Sequence, residues 1–104
     1  MTDPLFSKLT VAVRAGLVES GFDRVKEAVQ AGRSALVITA SDISAKTKKE
    51  VKYFCGTETE VLEYGKTMDE FASFLGMRAA VYSVNDPGFA KAIKKVVGSE
   101  NSVR

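Results

Sequence analysis

Residues 20–43 read SGFDRVKEAVQAGRSALVITASDI, and the fold turns on how this stretch divides. Ser20 offers a hydroxyl to a helix start, and Asp23, three residues on, completes an S-x-x-D capping box. Phe22, Val25, Ala28 and Val29 then recur at helical spacing. Gly32 supplies the left-handed stop that ends such a helix. Ala35 to Ala40 is apolar almost throughout, the pattern of a strand covered on both faces. The chain leaves that strand through Ser41-Asp42-Ile43-Ser44. Open α/β folds bind ligands where the carboxyl ends of their strands release the chain. A helix N-terminus beside that exit presents unpaired N–H groups to phosphate.

Outward from this unit, glycines and prolines punctuate the chain. Asp3-Pro4 opens a helix with Leu5, Leu9, Ala12 and Val13 on its inner stripe, ended by Gly16. Ser44 or Asp42 caps a third helix that carries Thr47, Val51 and Phe54 and closes at Cys55-Gly56. Thr67-Met68-Asp69-Glu70 is a second capping box, leading through Phe71, Ala72 and Leu75 to Gly76. Asp86-Pro87 starts the last helix, with Phe89, Ala92, Ile93 and Val96 inward as far as Gly98. Apolar runs at Ala35 to Ala40, Val61 to Tyr64 and Ala79 to Val84 lie between the helices. Strands alternating with helices predict an α/β/α sandwich of three layers.

The length of 104 residues permits one core, expected over residues 1–98, with 99–104 a flexible tail. Hydrophobic residues at 45% and charged residues at 27% are globular values. The net charge of +2 permits nucleic-acid binding without demanding it, because the placement of charge matters more than its total. No run is long enough to span a membrane, and the start lacks the pattern of a secretory signal, so the expected location is cytoplasmic. Histidine is absent, which removes the commonest neutral-pH acid/base and metal ligand. Cys55 has neither a histidine nor a second cysteine to join in catalysis or a zinc site, and its place after Tyr53-Phe54 suits a small buried hydrophobe. Neither G-x-G-x-x-G nor a P-loop is present. The expectation is a binding module, with no cofactor and no metal, rather than an enzyme.

The stretch Gly32-Arg33-Ser34-Ala35-Leu36-Val37-Ile38-Thr39-Ala40-Ser41-Asp42 resembles the "GxAxLVIIAxD" strand and loop of the kink-turn RNA-binding ribosomal-protein superfamily. Phe71 to Val81 resembles the "ELGxAxGxxRxxAV" helix-to-strand junction of that family in shortened form. Asp86-Pro87-Gly88-Phe89-Ala90-Lys91-Ala92-Ile93 is similar to the terminal helix of its bacterial YlxQ-type members. The resemblance spans roughly Leu5 to Val97. It implies a small mixed sheet, with Leu17-Val18 as a short edge strand, and an RNA-binding, ribosome-associated function. It implies RNA contacts at three places: the first turns of the Ser20 helix (Gly21, Phe22, Asp23, Arg24 and Glu27), the Ser41-Asp42-Ile43 loop, and the Met77-Arg78 junction.

Two readings stay open at most of these positions. Kink-turn binders typically carry Asn, Glu and Lys where this chain has Asp23, Arg24 and Glu27. Asp23 keeps acceptors but loses an amide donor, and its alternative role is the capping box. Arg24 has the fork that fits a guanine edge, whereas Glu27 puts an anion where family members have a cation. Both also suit a solvated helix face. Asp42 can be a helix cap, Ile43 and Met77 can be core, and Arg78 can be a solvated loop charge. Lys46, Lys48, Lys49 and Lys52 are the densest basic segment, either a solvated face or a track for an RNA backbone. The function read from the sequence is RNA binding in association with the ribosome or translation. The alternative is a protein-interaction module that kept the fold and lost kink-turn specificity.

Overall fold

The computed structural model describes residues 4–101. Five helices alternate with four strands: α1 (Pro4–Arg14), β1 (Val18–Ser20), α2 (Phe22–Gln30), β2 (Leu36–Thr39), α3 (Ala45–Cys55), β3 (Val61–Glu63), α4 (Met68–Leu75), β4 (Val81–Val84) and α5 (Pro87–Asn101). The sheet order is β1-β4-β2-β3. β4 pairs antiparallel with both β1 and β2, and β2 pairs parallel with β3. The mixed sheet and its short edge strand therefore follow the sequence expectation, with the edge strand at Val18–Ser20 ending two residues nearer α2 than the expected Leu17-Val18.

Both central strands are buried on both faces, which is why β2 reads Leu-Val-Ile-Thr without alternation. Side chains nevertheless alternate between two cores, as the period of a strand requires. Leu36, Ile38, Tyr82 and Val84 face a core shared with Leu5, Phe6 and Leu9 of α1, Phe71 and Leu75 of α4, and Ile93 of α5. Val37 and Val81 face a smaller one with Val25 of α2 and Val51 and Cys55 of α3. Phe6 is the hinge of the larger core, edge-on to Phe71 at 5.0 Å and stacked on Phe74 at 4.5 Å. The result is a sheet with α1, α4 and α5 on one side and α2 and α3 on the other.

The helix ends hold two corrections. Ser20 is the last residue of β1 and caps nothing; Gly21 is the N-cap of α2, and no side chain bonds to it. The expected Ser20–Asp23 capping box does not form because β1 runs two residues past the expected Leu17-Val18, up to the helix. Gly21 sits at φ 98° and ψ 150°, a region that only glycine occupies without strain. At the other end of the chain, α5 continues to Asn101, so Gly98 does not stop it. Asp3 and residues 102–104, part of the expected tail, lie outside the described residues. The Thr67–Glu70 capping box is present with both of its hydrogen bonds, and Asp86 accepts from the Phe89 N–H at 2.9 Å to start α5.

Candidate nucleic-acid interface

Strand direction decides where the three sequence-marked segments meet. β1 ends at Ser20, β2 ends at Thr39 and β4 begins at Val81, and the register pairs Ser20 with Tyr82 and Thr39 with Val81. All three therefore open at the same end of the sheet. Backbone bonds lace this end together: Gly21 N–H donates to Val81 O at 3.0 Å, Ala40 N–H to Ala80 O at 2.9 Å, and Ser41 N–H to Lys66 O at 2.8 Å. Ser20 Oγ, released from capping, lies 3.6 Å from Met77 Sδ.

The start of α2 is bare. With no side-chain cap at Gly21, the N–H groups of the first turn have no side-chain partner and carry the positive end of the helix dipole. Asp23, Arg24 and Glu27 are all exposed, and among the described residues none of their side chains has a hydrogen bond or ion pair. Asp23 and Glu27 lie one turn apart on one face, so two carboxylates stand beside this positive end. Phe22 is half-buried and meets Phe54 edge-on at 5.5 Å.

The loop after β2 divides its work. Ser44 caps α3 by accepting from the Thr47 N–H at 3.2 Å. Asp42, the other expected cap of α3, instead accepts from the N–H of Met68 at the start of α4, at 2.9 Å. Ser41 is exposed, and Ile43 is half-buried against the α2–α3 core rather than standing free as a loop tip.

The loop before β4 is held from beneath. Tyr82 Oη donates to Met77 O at 2.6 Å and accepts from the Ala79 N–H at 3.0 Å, which fixes the backbone on either side of Arg78. Burial pushes the Tyr82 phenol pKa up, so its proton stays in place for that bond. Arg78 Nε bonds Asp69 Oδ1 at 2.7 Å in full solvent, with side chains 58% and 82% exposed. Asp69 raises the guanidinium pKa further above its ordinary value, with a smaller contribution from Asp42. Only one edge of the Arg78 fork is engaged, and the rest is free to meet an anion. Met77 is half-buried against the larger core.

The structure thus brings Gly21, Phe22, Asp23, Arg24, Ser41, Asp42, Ile43, Met77 and Arg78 to one end of the sheet, with Glu27 one turn further along α2. Sequence reasoning missed Tyr82, which read only as an apolar strand residue, and Asp69, which read only as part of a capping box. It also missed Lys66, brought beside Ser41 by the β3–α4 loop. Of the lysine cluster, Lys48 is engaged with Glu63 at 2.7 Å. Cys55 is buried, and desolvation pushes its thiol up to about 11. Among the described residues no group of His, Cys, Asp and Glu is placed to hold a metal ion, and no helix is long and apolar enough to cross a membrane.

A model of the ribosomal protein L7Ae/L30e/S12e/Gadd45 family matches residues 3–94. The large ribosomal subunit protein eL30 of Dictyostelium discoideum is 27% identical over 85 residues, covering 79% of this chain and 76% of that protein. Among solved structures, a protein of unknown function from Bacillus halodurans superposes with a TM-score of 0.84 at 30% identity, over 90% of this chain and 96% of its own. The 15.5kD RNA binding protein of Giardia lamblia shares the fold, with a TM-score of 0.73 at 13% identity, over 100% of this chain and 93% of its own.

Proposed function

The chain belongs to the ribosomal protein L7Ae/L30e/S12e/Gadd45 family, and we propose on that premise that it is an RNA-binding protein of the translation apparatus that grips a sharply bent RNA at the end of the sheet formed by Gly21, Ser41 and Met77. The observation that carries this reading is the convergence of the uncapped start of α2, the Ser41–Ile43 loop and the Tyr82-braced Met77–Arg78 loop. Bent RNA suits such a surface for a physical reason: a kink splays out base edges that an A-form duplex hides in its deep groove. Backbone N–H groups at the start of α2 would take a phosphate, and the free edge of Arg78 a second. Arg24 would fork onto a guanine. The likeness to the Bacillus halodurans protein, over nearly the whole of both chains, supports a place among bacterial members of the family. Working at the ribosome, the protein would be cytoplasmic.

This is binding and positioning, not catalysis. Nothing in the site pairs a nucleophile with a base. The kink-turn itself is the finer part of the proposal. Titration against a kink-turn with intact tandem G·A pairs, the same RNA with those pairs disrupted, and a straight duplex tests it. Binding that ranks intact, disrupted, then duplex is expected. Equal affinity for all three removes the proposal. One observation favours a second reading, a protein-interaction module: Asp23 and Glu27 place two uncompensated carboxylates on the surface that would face phosphate. Under that reading none of the three RNAs binds measurably at physiological salt.

A further inference from the structure

β1 and β2 are both antiparallel to β4 and hence run the same way, so α2 and α3, which follow them, start at the same end of the sheet. Between these helices lies a groove of about 560 Å³ that opens onto the proposed RNA site at its upper end, where Phe22 is the first residue of α2. Its walls carry Phe22, Lys26, Lys46, Lys49, Tyr53 and Phe54. The floor is apolar, closed by the Phe22–Phe54 edge-to-face pair. Tyr53 stands in solvent, 88% exposed, although it gains nothing for the core from that position. Lys26, Lys46 and Lys49 are exposed, and among the described residues none of their side chains has a hydrogen bond or ion pair. Their neighbour Lys48, by contrast, is tied to Glu63. One carboxylate, Glu50, opposes these three cations in the groove.

Free cations around one exposed and two half-buried aromatic rings match a polyanion whose units also carry flat π faces. That is single-stranded nucleic acid: bases stack on the rings irrespective of sequence, and the cations follow the backbone. An apolar partner helix would fill the floor but would leave three ammonium groups crowded without counter-charge. We infer that the α2–α3 groove takes the single-stranded RNA that leaves the bent element, with bases stacked on Tyr53 and against Phe54 and phosphates held by Lys26, Lys46 and Lys49. The groove follows a nine-residue helix, about 13 Å of path, enough for a few nucleotides. It rests on the RNA-binding reading and extends the contact surface beyond it.

The test uses the full chain and three RNAs: the bent element alone, the bent element with an oligouridine tail at either end, and oligouridine alone. A tail is expected to tighten binding about tenfold or more, the scale of one or two base–aromatic stacks. Tyr53→Ala, a change at an exposed site, should abolish that gain while leaving affinity for the tail-less element unchanged. Tyr53→Phe should keep it. Lys46→Gln with Lys49→Gln should shrink it and flatten its salt dependence. A tail that gives no gain beside a well-bound bent element overturns the inference and spares the RNA-binding reading. A gain that survives Tyr53→Ala overturns it as well. Tyr53-dependent binding of oligouridine with no binding of the bent element would sink the proposed bent-RNA function and leave the groove assignment standing. Tyr53-dependent capture of an acidic amphipathic helical peptide, with no gain from any tail, would assign the groove to a protein instead.

Discussion

Asp42 Oδ1 accepts a hydrogen bond from the backbone N–H of Met68 at 2.9 Å, so a residue leaving β2 caps a helix that begins 26 positions later. This bond joins the Ser41–Ile43 loop to α4 and, through the Asp69–Arg78 pair, to the loop before β4. Asp42→Ala should therefore destabilise the fold by about 1 kcal/mol, the scale of lost helix caps, read as a lower denaturant midpoint, and should weaken RNA binding by loosening the loop. Asp42→Asn keeps the acceptor and should preserve both. An alanine variant as stable as the natural protein would show that Thr67 alone suffices to cap α4.

That bond also marks where sequence reading stops. The strands and helix stops were legible because they are local: Gly76 at φ 74° ends α4 and the Thr67–Glu70 box starts it. Asp42 sits before one helix in sequence and caps another in space, which no spacing rule reveals. Ser20 shows the opposite failure. Its S-x-x-D pattern fits a capping box, but tertiary pairing of Ser20 with Tyr82 drew the residue into the sheet, and the cap passed to Gly21. The three candidate segments were singled out by the family resemblance, whereas Tyr82, the brace beneath them, carries no local signature of that role.

Thr39 is fully buried in β2, and its Oγ1 has no hydrogen-bond partner among the described residues. A buried hydroxyl left unpaired destabilises a fold by about 1–3 kcal/mol. Thr39→Val keeps the shape and removes the polar atom, so it should stabilise the protein by about 1 kcal/mol or more. Chemical denaturation measures this directly, and a lower midpoint at unchanged slope would mean that the hydroxyl is satisfied in solution.

Arg78 and Asp69 should act on RNA with opposite signs. Arg78→Ala removes one phosphate contact and should reduce the slope of log affinity against log salt by somewhat less than one unit. Asp69→Ala frees the guanidinium and removes an anion, so it should strengthen RNA binding. Neither should alter stability much, because solvent screens an ion pair this exposed. Equal weakening by both substitutions would contradict the assignment of Arg78 as the contact and Asp69 as its competitor.

Cys55 offers a pH-dependent readout of the α2–α3 core. Burial raises its thiol from the ordinary 9.0 to about 11, and the thiolate is the species that alkylates. The native protein should react slowly with a thiol reagent at neutral pH, its rate rising only as pH nears 11, while the unfolded chain should react readily near pH 9. The sign for stability follows: a group held protonated in the folded state supports folding fully below pH 9 and loses that support as pH climbs toward 11. Rapid labelling of the folded protein at pH 8 would show the α2–α3 core to be open.

The start of α2 poses the last question, because its charges run against those typical of kink-turn binders. Replacing Asp23, Arg24 and Glu27 together by Asn, Glu and Lys restores an amide donor and a cation and moves the local charge from −1 to 0. If these three residues weaken kink-turn specificity, the triple variant should bind an intact kink-turn more tightly, since bidentate base contacts are worth roughly 1–3 kcal/mol each. The gain should vanish on RNA with disrupted G·A pairs. Asp23→Ala is the matched control, as it produces the same local charge without new hydrogen-bonding groups, and it should improve binding to every RNA by a similar small factor. Titration of natural, control and triple variants against both RNAs separates the cases. Tight, G·A-dependent binding by the natural protein would mean that Asp23, Arg24 and Glu27 already form a working site, with Arg24 supplying the guanine contact. Absence of any gain in the triple variant, beside weak binding by the natural protein, would move the start of α2 from RNA recognition to a protein contact.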